Sequence, residues 1–148
     1  MPVGLSRFKK DTGVMPSLDT NCLLRWFLND IPEQAARVAA LVTSGRFLRV
    51  DDVVIFEAVY AMERGAKISR STIRQYFTVA MTYPLAIDRD LWTAVFDIWV
   101  SHPKLSIIDV YLSVKAQGTN DDPVYTFDVK MANQMDTARM VPDLPSSK

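Results

Sequence analysis

The chain has 148 residues, the length of one domain that can bury a core without disulfide or metal staples. Its 17 Lys and Arg offset its 17 Asp and Glu, so no net charge draws the molecule to nucleic acid or membrane, and any such binding must come from a local basic rim. Cys22, the single cysteine, excludes an internal disulfide framework and a multi-cysteine zinc site and suits a reducing compartment.

In chain order, residues 1–14 are polar, carry Arg7, Lys9 and Lys10, and show no periodicity, which predicts a loose extension. They lack the apolar stretch of a secretory signal. Residues 15–18 form a short strand candidate running into Asp19. A helix is predicted over 21–28, stopping at Asn29 and Asp30. Pro32 then opens a second helix at its first position, with Gly45 placed to close it. Residues 47–50 read as a strand, and Asp51 or Asp52 caps a helix that runs to Gly65. Ser69 or Ser71 opens another, to about Thr82, and residues 85–87 are a short strand candidate. Asp88 caps a helix through Val100 that ends near Pro103. Residues 106–117 form a helix closed by Gly118, residues 124–127 a strand, and Asp128 starts a last helix. Residues 141–148 are a tail. Short strands alternating with longer helices predict an α/β domain with a parallel sheet over residues 15–140. No apolar run approaches the roughly 18 residues of a membrane span, so no membrane partner is expected and the expected location is the cytoplasm.

Four acids stand out from their surroundings. Glu57 is the only charge between Val53 and Met62, and its helical neighbours Val53, Val54, Tyr60 and Ala61 are apolar or aromatic. A carboxylate buried there costs several kcal/mol unless a partner such as a cation offsets it. The plain structural alternative is an edge position from which Glu57 reaches solvent. Asp109 is the only charge between Leu105 and Val114 and shares a thin polar stripe with Ser106 and Ser113. Its alternative is an ordinary solvent stripe. Asp97 is also a lone charge, but its weakly polar neighbours Thr93, Ala94 and Ser101 place it on the surface. Asp19 and Asp128 each follow a strand candidate and precede a helix, where parallel sheets gather functional groups. Taken singly, each reads as a helix cap before it reads as a ligand. Together the four acids are expected to converge on one pocket, which only a divalent metal lets stay ionised. Oxygen ligands alone select Mg2+ or Mn2+ over zinc.

What is absent narrows the chemistry. His102 is the only histidine, which excludes a nuclease working through paired histidines. No GxxxxGK[ST], GxGxxG or GxSxG pattern is present. Cys22 has no nearby histidine to activate it and reads as a small packing residue.

The segment SLDTNCLLRWFLND, with PEQAARV just after it, resembles the opening of toxin-type PIN domains. VVIFEAVYAMERG resembles their second acidic element, and PKLSIIDVYLSVKAQ followed by VYTFDVKMA the third and fourth. The resemblance runs from residue 15 to about residue 135. It implies a Rossmann-like α/β/α sandwich with a central parallel sheet, and metal-assisted cleavage of single-stranded RNA with Mg2+ or Mn2+. The acidic ligands of the family carry over to Asp19, Glu57, Asp109 and Asp128. Supporting hydroxyl and amide positions carry over to Thr20, Asn21, Thr126 and Ser106. Bacterial toxins of the VapC kind form homodimers and pair with a small antitoxin, so the implied partners are RNA, a cognate antitoxin and a second copy. Arg25, Arg64, Lys104, Lys115 and Lys130 are the candidate RNA contacts. Two features depart from the pattern: Pro16 in the first strand, and residues 1–14. Both fit if the domain proper begins at Met15. The alternatives are a PIN-fold module that binds RNA or protein without cutting, and a related DNA nuclease, since no residue here separates RNA from DNA.

Overall fold

The computed structural model describes residues 15–146, so the expected loose extension over 1–14 lies outside the described residues. The chain divides into two units: residues up to Ala66 with Tyr76–Ile87, and Lys67–Gln75 with the residues from Asp88 on.

In the first unit the expected strand at 15–18 contracts to one parallel bridge, Ser17 to Arg49. Arg49 donates its N–H to the Pro16 carbonyl at 2.7 Å, and Leu18 donates to the Arg49 carbonyl at 2.9 Å. Pro16 takes part only as an acceptor, so its missing N–H costs the pairing nothing. Helix α1 (Thr20–Leu28) comes next and stops at Asn29, whose left-handed φ of 51° turns its N–H back to the Arg25 carbonyl. Helix α2 (Pro32–Val42) starts on Pro32 as the sequence predicts. It ends short of Gly45: the Thr43 and Ser44 hydroxyls donate back to the Ala39 and Leu41 carbonyls at 2.8 and 2.7 Å, and Gly45, at φ 85°, belongs to the loop beyond. The strand expected at 47–50 is two residues, β1 (Leu48–Arg49), paired in parallel with β2 (Leu85–Ala86). Helix α3 (Asp52–Tyr60) passes into a wider π-helical turn over Ala61–Gly65. Asp51 stands at its N-cap without a side-chain capping bond and instead pairs with Arg49 Nε at 3.0 Å. Leu18, Leu23, Val42, Leu48, Ile55 and Leu85 are buried, and Phe77 meets Phe27 edge-on at 5.0 Å.

Helix α4 (Arg70–Ala80) is opened by Ser69, whose Oγ accepts from the Thr72 N–H at 3.3 Å. In the second unit Asp88 caps α5 (Arg89–Ser101) by accepting from the Leu91 N–H at 3.1 Å. Trp92, Phe96 and Trp99 form the buried side of α5, and Trp92 meets Tyr111 of α6 (Ile107–Thr119) at 5.3 Å between ring centres. Arg70 closes the C-terminal end of α5. Its Nη1 donates to the carbonyls of Trp99 and His102 at 2.8 and 3.2 Å, and its guanidinium lies 4.5 Å from the Trp99 ring centre. The cation adds to the bonds that these carbonyls accept from the His102 and Leu105 N–H groups, and its charge complements the negative end of the helix. Helix α6 runs through Gly118 rather than ending on it, and Asn120 takes the left-handed position at φ 58°. β3 (Val124–Thr126) pairs in parallel with β4 (Ala138–Met140), a strand that the sequence pattern does not predict, and α7 (Val129–Gln134) connects them. The fold is therefore α/β with short parallel strands. Among the described residues, pairing into named strands is confined to these two pairs. Among the described residues no helix is long and apolar enough to cross a membrane.

Candidate active-site acids

Asp19 sits where the bridged segment turns into α1. Its Oδ1 accepts from the Cys22 N–H at 2.8 Å, the geometry of an N-cap. That amide bond, followed by the bond from the Cys22 thiol, lowers the Asp19 pKa below its ordinary 3.8 and outweighs the small opposing effect of burial. The contact acts in reverse on Cys22: burial first, then the Asp19 carboxylate, push its thiol pKa up. Cys22 is thus half-buried and held protonated, in keeping with a packing residue.

Glu57 departs from its expected setting. It is exposed, not buried in an apolar face. Val53 and Tyr60, its neighbours one turn away, are themselves 61% and 69% exposed, while Ile55, Ala58 and Val59 supply the buried side of α3. A helix apolar almost all round has no periodicity to say which side is inside, so the burial argument for a charged partner does not apply here. Glu57 does have a specific partner, because Thr20 Oγ1 donates to Glu57 Oε1 at 3.2 Å. Asp19, Thr20 and Glu57 are thereby linked within the first unit.

In the second unit Asp109 is half-buried in the first turn of α6, and its N–H donates to Ser106 Oγ at 3.1 Å. Ser106 is thus the N-cap of the helix that carries Asp109. The stripe of residues 106, 109 and 113 runs from exposed Ser106 to Ser113, which is 1% exposed, so it is not a solvent stripe. Asp128 is exposed and caps α7, its Oδ1 accepting from the N–H groups of Lys130 and Met131 at 2.9 and 3.4 Å. Its own N–H donates to Thr126 Oγ1 at 2.9 Å, so Thr126 fixes the turn from which Asp128 projects.

The remaining candidates sort by engagement. Asn21 is exposed in the first turn of α1. Arg25 is paired with Asp30 at 3.0 Å, and Lys115 donates to the Tyr111 hydroxyl at 3.2 Å while lying 5.4 Å from its ring centre. Arg64, Lys104 and Lys130 are exposed. Asp97 is on the surface as expected, 3.5 Å from Arg74. The contact of Cys22 with Asp19 is not among the sequence-based expectations, although the three-residue spacing of an N-cap and its donor amide signals it.

Asp19 and Glu57 thus belong to one unit, Asp109 and Asp128 to the other. Among the described residues, no group of three or more His, Cys, Asp or Glu side chains is assembled to hold a metal ion. The chemistry of the donors nevertheless suits a hard divalent cation. All are oxygens, two of the carboxylates cap helices, and Asp19 is held in its ionised form. The sequence matches the family model of the PIN domain over residues 17–135, a span that contains all four acids. No curated protein and no solved structure matches the chain.

Proposed function

Since the chain belongs to the PIN-domain family, whose members are generally metal-dependent nucleases, we propose that it is a Mg2+- or Mn2+-dependent endoribonuclease that hydrolyses phosphodiester bonds in single-stranded RNA. The observation that carries this reading is the family match over a span that contains all four acids, three of them with a hydroxyl bonded to the acid or its backbone: Thr20 on Glu57, Ser106 on Asp109 and Thr126 on Asp128. The finer features rest on the same resemblance. They are a nuclease domain over residues 15–140 arranged as an α/β/α sandwich, a toxin role with a cognate antitoxin, and a homodimer; action in the cytoplasm is instead what the single cysteine suits.

In this reading Asp19, Glu57, Asp109 and Asp128 would supply the oxygen ligands of a divalent metal, whose chemistry would be the activation of water and the stabilisation of charge on the phosphoryl oxygens. The work of the chain itself is positional. The Cys22 amide keeps Asp19 ionised and pointed along the N-terminus of α1. Thr20 fixes the Glu57 carboxylate. Ser106 and Thr126 hold the backbone turns that present Asp109 and Asp128. The exposed Arg64, Lys104 and Lys130 supply phosphate contacts.

The test is incubation of the purified protein with single-stranded and structured RNA, and with matching DNA, in Mg2+, Mn2+ and chelator. Cleavage of RNA that needs metal and stops with chelator is expected. Cleavage of DNA in preference to RNA would make it the related DNA nuclease. Tight RNA binding without cleavage in either metal would make it a binding module.

A further inference from the structure

Burial alternates through β3 and one residue past it, with the large side chains outward. Val124 and Thr126 are half-buried, while Tyr125 is 60% and Phe127 79% exposed. Strand residues two apart face the same way, about 6.6 Å apart along the chain, so an amphipathic strand normally turns such rings toward the core. Here the polar Thr126 is the inward residue and the rings meet solvent. Two large rings exposed within three residues mark a binding surface more often than a chance exposure.

The patch has charged company. Tyr125 lies directly across the parallel pair from Arg139, which is exposed and whose Nη1 is held by the carbonyls of Asp136 and Ala138 at 2.6 and 2.9 Å. Asp128 comes directly after Phe127, and the exposed Lys130 two residues later. The cores of protein–protein interfaces are depleted in charge, whereas single-strand binders combine exposed rings with cationic side chains.

We propose that Tyr125 and Phe127 are a stacking platform for the bases of single-stranded nucleic acid, holding the nucleotides next to the phosphate attended by Asp128. The proposal rests on the nuclease reading above and adds the means by which the substrate strand is gripped. Consecutive Cα atoms are only 3.8 Å apart, so a strand whose phosphate reaches Asp128 carries an adjoining nucleotide past Phe127. Ring faces accept any base, so the platform gives grip without sequence preference, while Arg139 and Lys130 contact the backbone. A duplex keeps its bases stacked on each other and offers the platform nothing.

The experiment measures binding of a short labelled oligonucleotide by fluorescence anisotropy, with RNA and DNA arms. Ca2+ replaces Mg2+ as an ion that oxygen ligands also accept. The same oligonucleotide with abasic sites and a blunt duplex are the comparison probes. Phe127→Leu keeps the apolar bulk and removes the ring, and Phe127→Trp restores one. Phe127→Leu should weaken single-strand binding about 5- to 150-fold, the loss of one base–aromatic stack. It should weaken binding of the abasic probe little, leave duplex binding as in the parent, and be rescued by Phe127→Trp. Parental single-strand affinity in Phe127→Leu, or an equal loss on the abasic probe, would overturn the platform. So would a lower molar mass of Phe127→Leu by light scattering, because a second copy would then cover the rings. If the parent still cuts in a metal-dependent way in any of these cases, the nuclease reading stands and only the platform falls. If the parent neither binds nor cuts, both fall.

Discussion

Asp19 carries two separable duties in this structure, capping α1 and presenting a charge, and two substitutions pull them apart. Asp19→Ala removes the acceptor of the 2.8 Å bond from the Cys22 N–H. Loss of an N-cap side chain costs about 1 kcal/mol, within a range of roughly 0.5–2 kcal/mol. For a chain of this length that lowers Tm by about 2–4 °C. Asp19→Asn keeps an oxygen in the same place, and Asn caps as well as Asp. It loses only the attraction of a full charge to the helix N-terminus, at an exposed site roughly 0.3 kcal/mol or about 1 °C. Both variants should lose metal-dependent RNA cleavage. A pH series sharpens the comparison. The Asp19 pKa is lowered in the folded state, so its charge stabilises the protein above the ordinary value of 3.8, and that contribution is lost as pH falls through the lower folded value. The small advantage of the parent over Asp19→Asn should therefore be present at neutral pH and vanish in strong acid. Thermal melts across pH, run beside a cleavage assay, read all of this. If Asp19→Asn cuts RNA at the parental rate, Asp19 is a cap and nothing more.

Two further outcomes concern the helices of the second unit. Asp109→Asn removes a negative charge from the first turn of α6, which should lower metal-free stability by about 0.3–1 kcal/mol and abolish the Tm rise that the proposed metal role predicts for the parent in Mg2+ or Mn2+. An unchanged metal-induced rise would remove Asp109 from the ligand set. Gly118→Ala places a methyl group within α6 where nothing lies within 4 Å, so it should raise stability by about 0.5–1 kcal/mol in urea unfolding; a loss would show that Gly118 needs a conformation Ala resists.

Local chemistry was the legible part of the sequence. Pro32 at a first turn and Asp88 and Asp128 as caps are read correctly because one residue and its nearest amides decide each. Misreadings arise where two signals compete. Gly118 and Asn120 both accept a left-handed backbone, and the helix took the later stop. Gly45 lost to Thr43 and Ser44, whose hydroxyls satisfy the end of α2 first. β4 went unseen because its three residues, one buried and two exposed, leave no alternation to detect. Among the candidate acids, the apolar run around Glu57 was plain to see, but which flank of α3 faces the core depends on packing partners distant in sequence. Asp109 shows the same limit at shorter range: it reads as the lone charge of an apolar helix, yet it lies in that helix's first turn, where charge is welcome for its own reasons.

The wide turn at Ala61–Gly65 stores slack in the chain. Its defining bond runs from the Ala66 N–H to the Ala61 carbonyl at 2.9 Å, one residue further than an α-helix allows. One surplus residue is therefore wound into this stretch, and taking it up rotates the backbone downstream of Gly65 by about 100°, the share of a single α-helical residue. The nine residues of α3 before Ala61 are already α-helical, so a chain one residue shorter here would close into an ordinary helix and leave Glu57 and its bond to Thr20 where they are. Two sequences of unequal length through this stretch could thus present the same carboxylate, and residue spacing from Glu57 toward Asp109 is a poor guide to their equivalence.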